Sequence, residues 1–256
     1  MTTGTLISHL LELRTRLMRM VIALLIVFIG CATYANDVFE WLSKPLRAAL
    51  PKGATMATTT VMGSFTTPFT LSFYVALGIT MPYLLWEIWR FVAPGLYKHE
   101  KRFAMPLFLS SVVLFYTGMA FSFFLIFPGV FKFLVSTTPK GVQMMTDINQ
   151  YVSFALTMFL SFGLAFEVPI VVILLVLTGL IEVDKLTASR GYVIVAIFVV
   201  AAVITPTTDA ISQVAMAGPM WLLYEAGVIV ARMMVKWKRE GAAAREKAEA
   251  EESSKL

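Results

Sequence analysis

A chain of 256 residues with 58% hydrophobic and 14% charged side chains and a mean hydropathy of +0.79 is not a soluble domain, in which about a quarter of residues carry charge. Long apolar runs joined by short connectors describe a single integral membrane domain instead. The formal net charge of +5 collects at the ends and in the loops, where it bears on orientation, and no basic-aromatic nucleic-acid module is visible.

The first segment, MTTGTLISHLLELRTRL, places basic residues before an apolar run, but no Ala-x-Ala processing site follows, so it does not read as a cleavable signal. Leu6, Leu10, Leu13 and Leu17 recur on one helical face, opposite Thr5, Ser8, His9, Glu12, Arg16 and Arg19. This pattern predicts an amphipathic helix over residues 4–17 in the membrane interface. Glu12 and Arg16 form an acid-first i,i+4 pair worth about 0.3–0.5 kcal/mol, which is a sufficient local reason for both.

A helical span needs about 20 apolar residues, and six segments are read as spans. The first covers about 18–35 and contains the lone Cys31, which excludes an intrachain disulfide. Next, Asp37 and Glu40 have capping-box spacing and predict a short interfacial helix bent near Pro45. The second span, about 67–92, is bent at Pro82 and ends in a belt of Trp86, Glu87, Trp89, Arg90 and Phe91. GLYKHEKR, residues 95–102, then sets Glu100 among Lys98, His99, Lys101 and Arg102 before the third span, about 103–127.

Asp147 with Gln150 predicts an N-cap for the fourth span, about 151–178, interrupted at Pro169. Glu167 falls near the middle of that span, where a charge costs about 2.5–3.5 kcal/mol, so it faces a cavity or a partner, or is protonated and hydrogen-bonded to a neighbouring helix. The fifth span, about 192–204, reaches only about 20 Å and requires snorkelling flanks or a thinned bilayer. A sixth, about 211–231, contains Pro219 and Glu225; the latter lies within snorkelling distance of the interface near Arg232. The remainder, 240–256, is charged and Ala-rich and is expected to be a frayed helix or disordered.

Sixteen Lys and Arg residues fall on the side of the two termini and five on the other, so both termini are expected to be cytoplasmic. No HExxH, triad spacing or Gly-rich phosphate loop occurs, which argues against an enzyme, a metal site or a cofactor. A small secondary transporter or channel using Glu167 as a proton or cation site is one reading of these residues.

HLLELRTRL (9–17), FVAPGLYKHEKR (91–102), AFEVPI (165–170) and a late SQ…P…LLYE, in that order, resemble the TatC family, the large subunit of the twin-arginine protein translocase. The resemblance implies an all-α, glove-shaped bundle of six helices in the bacterial cytoplasmic membrane. It implies a receptor for twin-arginine signal peptides of folded proteins, working with single-span TatA-type and TatB-type subunits on the proton-motive force. Assembly as a homo-oligomer within a hetero-complex is expected. By motif, Glu12 and Glu100 would bind the arginines, with Arg14, Phe91 and His99 beside them. Glu167, Pro45, Asp209 and Glu225 would serve partner engagement or translocation. Thr205-Pro206-Thr207-Thr208-Asp209 departs from the family's usual Thr-Pro-Pro-Asp, lacking the second proline and running one residue longer. Physically, paired guanidiniums suit carboxylates through planar donor forks that lysine lacks. Nearby bases keep both acids ionised and repel surplus basic sequence.

Overall fold

The computed structural model describes residues 3–42, 44, 56–58, 60–92, 104–137, 146–204 and 210–253. Pro45, His99, Glu100 and Asp209 lie outside the described residues. The chain forms two compact units, Met1–Ala165 and Phe166–Leu256. In the first, α1 (Thr3–Cys31) continues through a 3-10 turn (Ala32–Tyr34) into α2 (Ala35–Leu42). Strand β1 (Met56–Ala57) precedes α3 (Val61–Val92). α4 (Ala104–Phe121) passes through a π turn (Ser122–Ile126) into α5 (Phe127–Thr137), and β2 (Thr146–Asp147) opens α6 (Ile148–Ala165). The two strands run parallel, Met56 opposite Thr146 and Ala57 opposite Asp147. The second unit comprises α7 (Val168–Leu177), α8 (Val183–Ala188), α9 (Arg190–Ile204) and α10 (Ala210–Ser253).

Four stretches among the described residues are long and apolar enough to cross a membrane: Leu11–Leu42, Phe65–Phe91, Ala104–Val130 and Ile148–Leu177. These match the first four expected spans, three of which run one residue beyond the stretch at one end. The fifth corresponds to a shorter apolar helix, Arg190–Val203, and the sixth lies within α10. The chain is therefore an all-α membrane protein. Ile26 and Ile29 of α1, 66% and 71% exposed, make sense only against lipid.

Two local expectations are corrected. The segment 4–17 is not a separate interfacial helix but the start of α1, because no Gly or Pro between Thr5 and Ile29 breaks the 3.6-residue period. Asp37 is not an N-cap: the chain enters α2 already helical at Ala35, so Asp37 sits in the first turn and acts on the helix dipole. Of the two expectations for the tail, residues 240–253 take the helical one and continue α10. That segment is rich in Ala, Glu, Lys and Arg, the strongest helix formers, and Lys236–Glu240 pairs at i,i+4 just before it. The predicted cap at Asp147 is present: its Oδ1 accepts from the backbone N–H of Asn149 at 2.8 Å and of Gln150 at 3.0 Å.

Packing in the first unit is antiparallel. α1 lies along α3, with Phe28 against Phe73 edge to face, and α3 lies along α4, with Trp86 against Phe108. Pro82 removes the amide that would bond the carbonyl of Gly78, four residues earlier. Tyr116 on α4 fills that place, its Oη donating to Gly78 O at 2.9 Å. Tyr151 of α6 likewise donates to Leu42 O, at the end of α2, at 2.6 Å. Fully buried Phe115, Phe127, Met158 and Phe162 form the core. Beside it lies an apolar cavity of about 240 Å³ bounded by Trp41, Tyr74, Phe115 and Leu156.

In the second unit α7 ends at Gly179, whose φ of 71° is the left-handed position that glycine occupies without strain. α10 closes on α7 at Gly227, where an added Cβ would stand 2.7 Å from Pro169 Cα. The obstacle is backbone, which a rotamer change cannot clear. Gly227→Ala is therefore expected to destabilise the protein by about 1–3 kcal/mol. Thermal unfolding in detergent should show a lowered Tm, and an unchanged Tm would contradict the close approach.

Candidate functional site

The site is assembled from two helices by the period of each and by their antiparallel contact. Glu12 and Arg16 share one face of α1, Tyr83 and Glu87 share one face of α3, and the packing brings Arg16 onto Glu87. Arg16 Nε at 3.1 Å and Nη2 at 2.5 Å both donate to Glu12 Oε1. Its Nη1 donates to Glu87 Oε2 at 3.0 Å, and the hydroxyl of Tyr83 donates to Glu87 Oε1 at 3.2 Å. The three charged side chains descend from surface to interior: Glu12 is 42% exposed, Arg16 11% and Glu87 2%.

One guanidinium, that of Arg16, thus bridges two carboxyl groups. Glu12 opens onto a surface recess of about 350 Å³ that it shares with Leu11, Thr15, Arg16 and Arg19. Arg14, Arg19 and Arg90 are exposed, and Arg19 and Arg90 lie near enough to act electrostatically on Tyr83. Arg16 instead meets Glu87 in a poorly solvated setting, where a charge pair is strong and an unpaired charge is costly. The exposed end of the cluster is thus a carboxylate in guanidinium-binding geometry. Among the described residues no group of three or more His, Cys, Asp and Glu stands together, so no metal ligation is derived.

Of the other sequence candidates, Phe91 is half-buried in the last turn of α3. Glu167 occupies the turn between α6 and α7 as the residue before α7, half-buried, with φ −77° and ψ −17°. The expected interruption at Pro169 therefore falls at residues 166–167, and the proline takes a place in the first turn, where it is tolerated. Glu225 pairs with Arg190 rather than reaching toward Arg232. Arg190 Nε faces Oε1 and Nη2 donates to Oε2, each at 2.6 Å, while Arg232 donates to Thr187 Oγ1 at 2.9 Å.

Glu87 was assigned by its neighbours to an interfacial anchor belt, and the structure shows it buried instead. The available signal was its spacing: Tyr83 lies one turn earlier in an otherwise apolar run, MPYLLWEIW, on the face that also carries the polar Thr80.

Residues 8–219 match the family described as Sec-independent protein translocase protein (TatC). The chain belongs to the TatC family. It is 53% identical over 223 residues to the Sec-independent protein translocase protein TatC of Azotobacter chroococcum, covering 87% of each chain. It is 45% identical over 233 residues to that of Escherichia coli K12, covering 91% of this chain and 90% of the relative. A crystal structure of the twin-arginine translocase receptor TatC superposes with a TM-score of 0.80 at 36% identity, covering 88% of this chain and 98% of that one. The family is one of membrane protein translocases, which places the chain in protein transport.

The cluster separates a buried from an exposed ion pair. Arg16→Ala strands Glu87 without its cation and is expected to destabilise the protein by about 3 kcal/mol. Glu12→Gln removes only the exposed partner and should cost no more than about 0.5 kcal/mol. Unfolding of both variants side by side in one detergent checks the order, and equal Tm shifts would contradict it.

Proposed function

We propose that this chain is the signal-peptide receptor and core subunit of a twin-arginine translocase, admitting folded proteins to export across the bacterial cytoplasmic membrane. The observation that carries the proposal is that Glu12, at the open end of the cluster, already holds a guanidinium, that of Arg16. A second guanidinium meets the same planar, charge-assisted recognition, for which lysine is a poor substitute. Likeness to the solved receptor over most of the chain supports the same reading.

In this reading Glu12 and Glu100 take the paired arginines, with Arg14, Phe91 and His99 around them, on a cytoplasmic face that also carries both termini. Glu167, at the helix interruption, is where a partner helix or the distal signal peptide engages, with Pro45, Asp209 and Glu225 supporting. Single-span TatA-type and TatB-type subunits complete the translocase, driven by the proton-motive force. The bundle is a six-helix membrane domain over residues 1–239.

The test is export of a folded reporter carrying a twin-arginine signal. Glu100→Gln should lower its rate at least tenfold, as expected for losing a charge-assisted hydrogen bond of about 1.5–3 kcal/mol, with secretion of unfolded proteins unchanged. Photocross-linkers at positions 12 and 100 should capture the signal peptide, competed by an Arg-Arg but not by a Lys-Lys peptide. Normal export by a Glu100→Gln chain at wild-type level would refute the role of that residue.

A further inference from the structure

Between α2, α3, α4 and α6 the first unit keeps open an apolar cavity of about 240 Å³. Gly78 lines it, and a Cβ added there would meet only Met119 Cε, at 3.7 Å. The missing side chain is therefore part of what makes the space. Tyr116 bridges from α4 to Gly78 O at 2.9 Å and fixes the separation of the two helices at that level. Without such a strut a gap of this size tends to close, because its walls lack partner atoms on one side.

The walls restrict what can enter. Leu71, Phe115 and Leu156 are buried, and among the described residues that line the cavity none is charged and none is Ser, Thr, Asn, Gln or His. Its polar tips are those of Trp41, Tyr74 and Tyr116, and the last already donates to Gly78 O. Water finds too few partners there, and an extended peptide would leave its amides and carbonyls unsatisfied. A helix is too wide, since one turn about 10 Å across fills roughly 400 Å³. A hydrocarbon chain meets none of these objections. An apolar cavity of about 150 Å³ suffices to bind benzene.

The rim faces a source of such chains. Ile79 and Tyr116, 57% and 39% exposed, lie near the middle of the apolar stretches Phe65–Phe91 and Ala104–Val130. At that depth the surrounding medium is lipid hydrocarbon. Along α3 the lining runs from Leu71 to Ile79, about 12 Å at 1.5 Å per residue. Trp41 lines the cavity at the end of the stretch Leu11–Leu42, its ring stacked on Phe123 at 4.4 Å. The space is thus elongated from mid-span toward a membrane boundary, which is the direction an acyl chain takes.

We propose that this cavity binds one acyl chain of a membrane phospholipid, which enters past Ile79 and Tyr116. The chain supplies the packing that Gly78 withholds and joins α2 to α3, α4 and α6. This site is independent of which ligand Glu12 takes.

The experiment places the full chain alone in phosphatidylcholine vesicles doped with a phosphatidylcholine that carries a mid-chain diazirine. After irradiation, adducts are mapped by mass spectrometry. Wild type should be labelled on buried Leu71, Phe115 or Leu156 as well as on outward-facing Ile26 and Ile29. Labelling confined to Ile26, Ile29 and other outward-facing residues overturns the proposal and leaves the cavity to a partner's side chain.

Gly78→Leu builds a side chain into the space. It should cut labelling of the buried residues at least fivefold and leave that of Ile26 and Ile29 unchanged. Undiminished labelling of the buried residues, in a Gly78→Leu chain that unfolds as wild type does, also overturns the proposal, because the probe then reaches them by another route. If Gly78→Leu does not accumulate, the wild-type pattern decides: adducts on the buried residues support the site, and their absence refutes it.

Discussion

A bilayer offers no hydrogen-bond partner to a backbone amide or carbonyl, so every segment at membrane depth must satisfy those groups from within the protein. Helices do this by default, and the informative places are where the ladder fails. Pro82 leaves Gly78 O without its amide, and the hydroxyl of Tyr116 reaches across from α4 to supply the missing donor. The last carbonyls of α2 meet a similar need through Tyr151 at Leu42 O, and in the second unit Tyr224 donates to Leu186 O at 2.9 Å. Tyrosine suits the task because its ring packs as a hydrophobe while its tip carries one donor. Thr67, Ser72, Thr80 and Thr117 bond back to carbonyls four residues earlier, which lets polar side chains sit in apolar helices without orphaned hydroxyls.

The same constraint governs charge, and the two units meet it differently. In the second unit Arg190 and Glu225 are matched one to one, Nη2 donating to Oε2 and Nε facing Oε1. That pair links α9 to α10. In the first unit one guanidinium serves two carboxylates, and the exposure gradient runs from Glu87 inside to Glu12 outside. The buried end of that cluster carries the larger desolvation cost, and its exposed end the smaller.

Much of this was legible in the sequence, because hydropathy and helix-breaking residues act locally. The first four spans, the interruption beside Glu167 and the cap at Asp147 follow from nearest neighbours along the chain. What could not be read locally was anything set by packing. Leu6 to Leu17 carry an amphipathic period, yet nothing in a period says where one helix stops and the next begins, and α1 runs straight on. The neighbours of Glu87 resemble an aromatic anchor belt, and only the antiparallel crossing of α1 and α3 reveals that the acid points into an ion pair 71 residues away in sequence. Glu12 was recognised from a motif and Arg16 from i,i+4 spacing, but the third member needed three dimensions. Glu225 shows the converse, since the nearer cation in sequence, Arg232, is not its partner.

The overall charge makes the local arrangement matter more. A chain of net +5 does not attract a basic peptide from a distance. At physiological ionic strength, exposed charges are screened beyond about 8 Å, so the long-range repulsion is mild and discrimination falls to groups in contact. Contact favours a ligand that presents planar donors to a carboxylate, and it disfavours a compact ammonium that only adds positive charge to a surface already rich in it. Arg19, which lines the same recess as Glu12, belongs to that positive surface. On the proposed reading, generally basic sequences are disfavoured by charge and a pair of arginines is favoured by geometry.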